Sequence, residues 1–206
     1  MTIIEKLTEI FGSFPGIGPR QAKRFVFFLL ARGGAYIDEM IRLLQNLKKD
    51  IKQCPVCFRY FSRGAAAENR CQICRDEHRA SDMLMIVCRD VDLETLEKSG
   101  AFAGHYFVLG GALPILEKNP ERKIRGRELL KAVEKASKDD ALKEIILAMN
   151  TDPEGENTAD FLHKLLEPLV KKHNLKISLL GRGLSTGAEL EYADTDTLKN
   201  ALLNRS

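Results

Sequence analysis

Apolar residues recur at helical spacing through the first fifty residues, then give way, from Met83 onward, to short continuous apolar runs separated by amphipathic stretches. Ile3, Ile4, Leu7, Ile10 and Phe11 predict a helix over residues 2 to 11 that stops at Gly12. A second helix is expected from Pro19 to about Arg32 with Phe25, Phe28 and Leu29 inward, and a third from Tyr36 to about Lys49 offering Ile37, Met40, Ile41, Leu44 and Leu47 to the same core. Phe25, Phe27 and Phe28 together wrap too much of the second helix for one core face, which suits a subunit contact for one of them, beside the plainer reading of core burial.

The later pattern is different. Met83 to Val87 reads as a strand covered on both faces, followed by a helix through Leu93, Leu96 and Glu97 and a second strand from His105 to Leu109 that ends at Gly110-Gly111. Residues 112 to 125, with Pro114 and Pro120, read as loop. Gly126 to Ser137 (helix), Glu144 to Met149 (strand), Asn157 to Lys172 (helix) and Lys176 to Leu180 (strand) complete an alternation that predicts a parallel sheet with helices on both sides. The fold class is therefore mixed α/β, with a helical unit in front. No internal repeat or low-complexity segment is present.

Between the two patterns stand Cys54-Pro55-Val56-Cys57 and Cys71-Gln72-Ile73-Cys74, thirteen residues apart. Two such pairs match the spacing of a structural zinc site: each pair puts two sulfurs at one tight turn, and the hairpin between them closes a tetrahedron. We expect one zinc ion per chain on Cys54, Cys57, Cys71 and Cys74, with no open position for catalysis. Ser62-Arg63-Gly64 looks like a turn between the pairs, and His78 reads as a surface residue because four thiolates already complete the site. The fifth cysteine, Cys88, reads as a buried small hydrophobe. This usage points to a reducing compartment, and the absence of a signal-peptide pattern or bilayer-spanning apolar run gives a cytoplasmic expectation with no membrane partner.

Charge adds a direction. Residues 20 to 80 carry 13 Lys and Arg against 6 Asp and Glu, within a chain whose net charge is only +3. A basic front on a mildly acidic remainder suits a polyanion partner, whereas the plainer reading is a solvated basic face.

The turn Pro15-Gly16-Ile17-Gly18-Pro19 between the first two helices, with Arg20, Lys23 and Arg24 directly behind it, is a helix-hairpin-helix pattern. Gly16 and Gly18 permit a tight turn whose amides face outward; amides and basic side chains together bind successive phosphates, reading the backbone and not the bases. Its rival is an ordinary turn between core helices.

After the third strand of the sheet comes Asn150-Thr151-Asp152-Pro153-Glu154-Gly155-Glu156-Asn157. Carboxylates at the carboxyl ends of parallel strands can hold Mg²⁺, and equally Glu154, Glu156 and Asn157 suit the positive end of the next helix whatever the function. Composition and spacing leave both open.

Taken in order, the hairpin, the cysteine pairs, Val108-Leu109-Gly110-Gly111, Asn150 to Ala159 and Leu190-Glu191-Tyr192-Ala193-Asp194 resemble the RecR family of bacterial recombination mediators over essentially the whole chain. The resemblance implies a Toprim fold for the sheet and a ring-like homotetramer that clamps DNA. It also implies partnership with RecO, and in some organisms RecF, in loading RecA onto gapped DNA, and no enzymatic activity. It places Arg20 and Arg24, with Lys23 as neighbour, at the family's DNA-contacting positions, and Glu154 and Glu156, beside Asp152, on the acidic Toprim loop linked to partner binding. The implied layout is a DNA-binding unit over 1–53, a zinc finger over 54–80, a Toprim-like domain over 81–175 and a closing, oligomer-contacting segment over 176–206. The chain departs from the family at Cys88, where glutamate is usual, at Leu113-Pro114 and Asn119-Pro120 in the loop after Gly111, and at Ser185, where proline is common. Because a thiol cannot replace a carboxylate toward Mg²⁺, Cys88 argues against the alternative of a Toprim-type nuclease or primase-like enzyme working through the acidic loop.

Overall fold

A computed structural model describes residues 1–62, 69–117, 119–138, 141–181, 183–184, 187 and 189–203. Arg63, Gly64 and Ser185 lie outside the described residues. The chain forms two compact units, Met1–Lys52 and Gln53–Ser206.

The first unit holds α1 (Ile3–Gly12), α2 (Pro19–Arg32) and α3 (Gly34–Asp50). Thr2 starts α1 with a reciprocal cap: its hydroxyl accepts from Glu5 N, and the Glu5 carboxylate accepts from Thr2 N at 2.7 Å. Phe11, Ala22 and Val26 form the buried centre, with Leu7, Ile17, Phe25 and Leu29 packed around it. Of the inward set expected for α2, Phe25 and Leu29 pack against this core on the same face as the buried Ala22 and Val26, whereas Phe28 is corrected: it is 45% exposed. α3 buries no residue within this chain, and Ile41, Leu44 and Leu47 are exposed. The α1/α2 pair encloses so small a core that the apolar face of α3 is left uncovered.

The second unit begins at the end of β1 (Ile51–Gln53) and continues through β2 (Tyr60–Ser62) and the single helical turn α4 (Gln72–Arg75). Then follow β3 (Met83–Val87), α5 (Asp90–Ser99), β4 (His105–Val108), α6 (Pro120–Lys123), α7 (Gly126–Ala136), β5 (Glu144–Ala148), α8 (Pro153–His173) and β6 (Lys176–Leu179). A 3₁₀ turn (Leu190–Tyr192) and α9 (Thr195–Leu203) complete it. The four long strands form a parallel sheet in the order β4-β3-β5-β6. Met85 is level with Tyr106 on one side and with Ile146 on the other.

Strand pleating splits the core in two. Leu84 and Ile86 join Phe107, Ile145 and Leu147 under Leu129 and Val133 of α7 and Leu162 and Leu166 of α8. Met85 and Val87 point the other way, to Tyr106, Val108 and Leu93 of α5. The expected alternation and the parallel sheet with helices on both faces are present. Two boundaries of this unit differ by more than one residue. Residues 120–123 of the expected loop form a helical turn opened by Pro120, and α8 starts at Pro153, four residues earlier than periodicity suggests, because Asp152 caps it and Pro153 is preset for a first helical turn. No helix among the described residues is long and apolar enough to cross a membrane.

Candidate functional site

The hairpin of the first unit is built by its aromatic neighbours. Phe11 meets Phe14 and Phe25 edge-on, at centroid distances of 5.7 and 5.8 Å, which holds the end of α1 against α2. Ile17 N donates to Phe14 O at 3.1 Å, and Gly16 takes φ +75°, a conformation that glycine adopts without strain. Gly18 caps α2 with φ −82° and ψ 166°, and no side chain hydrogen-bonds this helix end. A Cβ at either Gly16 or Gly18 would meet nothing within 4 Å. Gly18 is thus required neither by its backbone angles nor by packing inside the chain; what it leaves free is space outside. Arg20, Lys23 and Arg24 are exposed on the first turns of α2, and among the described residues none of them is in a salt bridge. Uncapped amides, open space and cations outside any salt bridge stand together there, with Arg24 touching only the Gln21 side-chain oxygen, at 3.5 Å.

In the second unit Cys54, Cys57 and Cys71 are fully buried, Cys74 partly, and all four sulfurs lie within 4.8 Å of one another. A tetrahedral ion with metal–sulfur bonds of about 2.3 Å sets its ligands about 3.8 Å apart, so the cluster has the size such an ion requires. The turn at the first pair is closed by Cys54 N donating to Arg59 O and Phe58 N donating to Cys54 O, at 2.9 and 3.0 Å. Cys71 stands at the start of α4 and its amide donates to the Cys54 sulfur at 3.5 Å. The sulfurs are strongly coupled: hydrogen bonds with Cys54, then Cys71 and Cys74, push the Cys57 thiol far above the ordinary thiol range, while the same contacts hold Cys54 far below it. Such a set of crowded, buried thiols is suited to a metal ion. His78 is exposed and outside this group.

The cysteine cluster is continuous with the sheet. Cys54, Cys57, Cys71 and Ile73 share a core with Met85, Val87, Leu93, Tyr106 and Val108. Phe58 packs on Phe107 at 5.3 Å, and Tyr60 N donates to the Asp90 carboxylate at 2.7 Å.

At the carboxyl ends of the strands, Cys88 is 2% exposed, its thiol donates to the Met149 sulfur at 3.3 Å, and burial pushes it up to about 11. It is a neutral, apolar filler beside the end of β3. Asp152 serves as the cap of α8, accepting from Gly155 N at 2.7 Å. Glu154 and Glu156 lie in the first turn of that helix, where its dipole favours negative charge. Among the described residues, the four cysteines are the one group of three or more Cys, His, Asp or Glu side chains close enough to share an ion, and Asp152, Glu154 and Glu156 are not gathered in that way.

Thr158 and Arg125 are positioning residues that the sequence does not mark, and Asn157 has a second role beyond the helix end. The buried Thr158 hydroxyl donates to Glu154 O at 2.6 Å and accepts from Leu113 N at 2.8 Å, while Asn157 Nδ2 reaches the carbonyls of Leu113 and Pro114. Together they pin the loop that follows β4. Arg125 donates to Val108 O at 2.8 Å and lies over the Phe58 ring, 5.6 Å from its centroid. A Cβ on Gly110 would come within 2.9 Å of that guanidinium, which explains one of the paired glycines; the other contacts span the fold and leave no local sequence signal.

A family model described as Toprim domain matches residues 82–181, and another described as RecR, C-terminal, matches residues 183–206. The chain is 33% identical over 207 residues to recombination protein RecR of Bdellovibrio bacteriovorus, covering all of this chain and 97% of that protein. It is 35% identical to the protein of the same name from a Nocardioides species (98% of this chain, 96% of that one) and 34% identical to that of Thermobifida fusca (98% and 95%). With these identities holding from end to end, and with a parallel α/β sheet carrying four clustered cysteines, the chain belongs to the RecR family of recombination proteins.

Proposed function

We propose that this protein is a recombination and repair mediator that clamps DNA by its phosphate backbone as a homo-oligomer, and that it acts as a binding protein and not as an enzyme. The observation that carries the reading is the start of α2: a helix end with no side-chain cap, open space at Gly16 and Gly18, and Arg20, Lys23 and Arg24 exposed beside it. Amides there bind one phosphate and the cations the next, without regard to sequence. One such site is weak, and several on a closed ring multiply it. The exposed apolar side chains Phe27, Phe28, Ile41, Leu44 and Leu47 on the first unit support subunit contacts, for which we propose the family's tetramer.

The functional layout we propose follows: residues 1–53 bind DNA, 54–80 hold one structural zinc ion on Cys54, Cys57, Cys71 and Cys74, 81–175 form the Toprim domain, and 176–206 close it and contribute to assembly. Asp152, Glu154 and Glu156 serve protein partners, RecO and in some organisms RecF, with which the protein helps load RecA onto gapped or single-stranded DNA in the cytoplasm. Cys88 and the capping role of Asp152 weigh against a Mg²⁺-dependent nuclease or primase. The test is affinity for gapped DNA as a function of salt, for wild type and Arg20→Ala/Arg24→Ala. Loss of two phosphate contacts per subunit flattens the salt slope by about 1 for each contact removed. An unchanged affinity and slope would remove the hairpin from the DNA interface.

A further inference from the structure

The outer edge of the sheet is hydrogen-bonded at two positions and unpaired between them, at the largely buried Tyr106. β4 pairs with β3 alone. Leu109 N donates to Val87 O at 2.9 Å, so the odd-numbered backbone groups here face β3, and by strand periodicity those of Gly104, Tyr106 and Val108 face outward. Gly104 O accepts from Arg79 Nε at 2.8 Å. Val108 N donates to Cys57 O at 2.8 Å, and Val108 O accepts from Arg125 Nη1 at 2.8 Å. Between these, the amide and carbonyl of Tyr106 meet no partner among the described residues.

A cavity of about 480 Å³ lies at this position, lined by Val56 of the cysteine turn, by Leu84 and Phe107 of the sheet, and by Ala136 of α7. Its lining is mostly apolar. Lys131 and Lys135, one helical turn apart and both exposed, supply positive charge at its wall, only partly offset by Glu128. Neither lysine is in a salt bridge among the described residues.

We propose that this is a docking site for a short extended peptide segment of a partner protein, with an apolar side chain and a carboxylate close together. The peptide backbone pairs with the amide and carbonyl of Tyr106, as in addition of a strand to a sheet edge. Its apolar side chain enters the cavity against Val56 and Phe107, and its carboxylate meets Lys131 and Lys135. Arg79 and Cys57 block the edge on either side, so a long strand cannot pair and only about one residue's pair of hydrogen bonds is available. The same blocks keep the edge from pairing indiscriminately. A nucleic acid is a poor occupant, since the lining offers no cation beyond two lysines and no exposed aromatic stack. This site is in the sheet unit and does not depend on the DNA-binding reading of the hairpin.

The test is an amide NMR titration of the full chain with acetyl-Glu-Leu-Val-Glu-amide, its Gln counterpart, and a version methylated at both central backbone nitrogens. The site predicts that the Tyr106 amide resonance shifts and its hydrogen exchange slows, and that the methylated peptide binds about tenfold more weakly, the loss expected when backbone hydrogen bonds are removed. Lys131→Gln/Lys135→Gln weakens the Glu peptide to the level of the Gln peptide. Ala136→Trp, at an exposed lining position, blocks both peptides, with an unchanged Val108 amide resonance showing that the edge is intact. Equal binding of the methylated peptide, or a Tyr106 amide that does not move, overturns the proposal. So does a change in the particle mass of Ala136→Trp by light scattering, which would make the groove a contact between copies of this chain.

Discussion

The amide of Val108, the last residue of β4, donates to the carbonyl oxygen of Cys57 at 2.8 Å, so the cysteine turn occupies a hydrogen-bonding position of the sheet's outer strand. Around this bond Phe58 packs on Phe107, and Arg125 bridges the Phe58 ring and the Val108 carbonyl. A metal ion held by the four sulfurs would therefore stabilise the sheet as well as its own loop.

Removal of that ion is expected to act first on folding. Structural zinc contributes on the order of 10 kcal/mol in small cysteine sites, comparable with the ~5–15 kcal/mol stability of a whole domain. Cys71→Ser, or chelation of the wild type, should lower the melting temperature of the sheet unit and speed exchange of the Val108 amide. A Cys71→Ser protein that melts and assembles normally but has lost DNA binding would contradict this. Metal content by elemental analysis identifies the ion.

The Arg79–Glu97 pair supplies a pH-dependent contribution. Arg79 holds both Glu97 oxygens, at 2.7 and 2.9 Å, and also donates to Gly104 O. The hydrogen bonds from Arg79 hold the Glu97 carboxyl below its ordinary value of 4.5. A depressed folded-state value means that the stabilisation is present in full above the unfolded value near 4.5 and fades as pH falls through the lower folded one. Glu97→Gln should therefore be less stable than wild type at neutral pH, with the gap closing in acid. Arg79→Met, which removes the bidentate partner of a carboxylate that is 33% exposed, should cost about 1–2 kcal/mol at neutral pH, between the values for surface and for buried pairs. Urea midpoints measured at both pH values check the two variants.

How far such relationships are legible in the sequence depends on their range. The caps at Thr2 and Gly18, the apolar runs of β3 and β5 and the Cys-x-x-Cys pairs are local, and each announces its element. The period of α3 marks an apolar face but not what covers it, which is why Ile41, Leu44 and Leu47 read as core and are exposed. Asp152 shows the limit of composition: a carboxylate before Pro-Glu-Gly serves a metal ion or a helix end equally well, and the bond to Gly155 N identifies the cap. Arg125 and Thr158 act across the fold, on Phe58 and Leu113, and nothing near them in sequence indicates it.

Thr158→Val tests the anchoring of the loop after β4. Valine keeps the shape and removes the hydroxyl, leaving the Leu113 amide, in a residue only 2% exposed, without its acceptor. An unsatisfied buried donor costs about 1–3 kcal/mol. Hydrogen exchange should accelerate at Leu113 while exchange in β3 and β5 stays at the wild-type rate. Uniform acceleration throughout the unit would instead mean that the hydroxyl supports the global core.

Two glycines to alanine separate architecture from binding. At Gly155 a Cβ would collide with the Asn150 carbonyl, so Gly155→Ala should cost about 1–3 kcal/mol, seen as a lower urea midpoint with unchanged slope. At Gly18 a Cβ meets nothing within 4 Å and φ is −82°, so the folded chain accepts alanine, and the change in stability should stay within about 1 kcal/mol. The methyl group nonetheless stands at the helix end where a phosphate would approach the amides. Gly18→Ala should therefore weaken DNA binding severalfold while the salt slope set by Arg20, Lys23 and Arg24 is preserved, because the cations remain and only the close approach is lost. Wild-type affinity in a stable Gly18→Ala protein would leave the side chains as the sole phosphate ligands and exclude the amides.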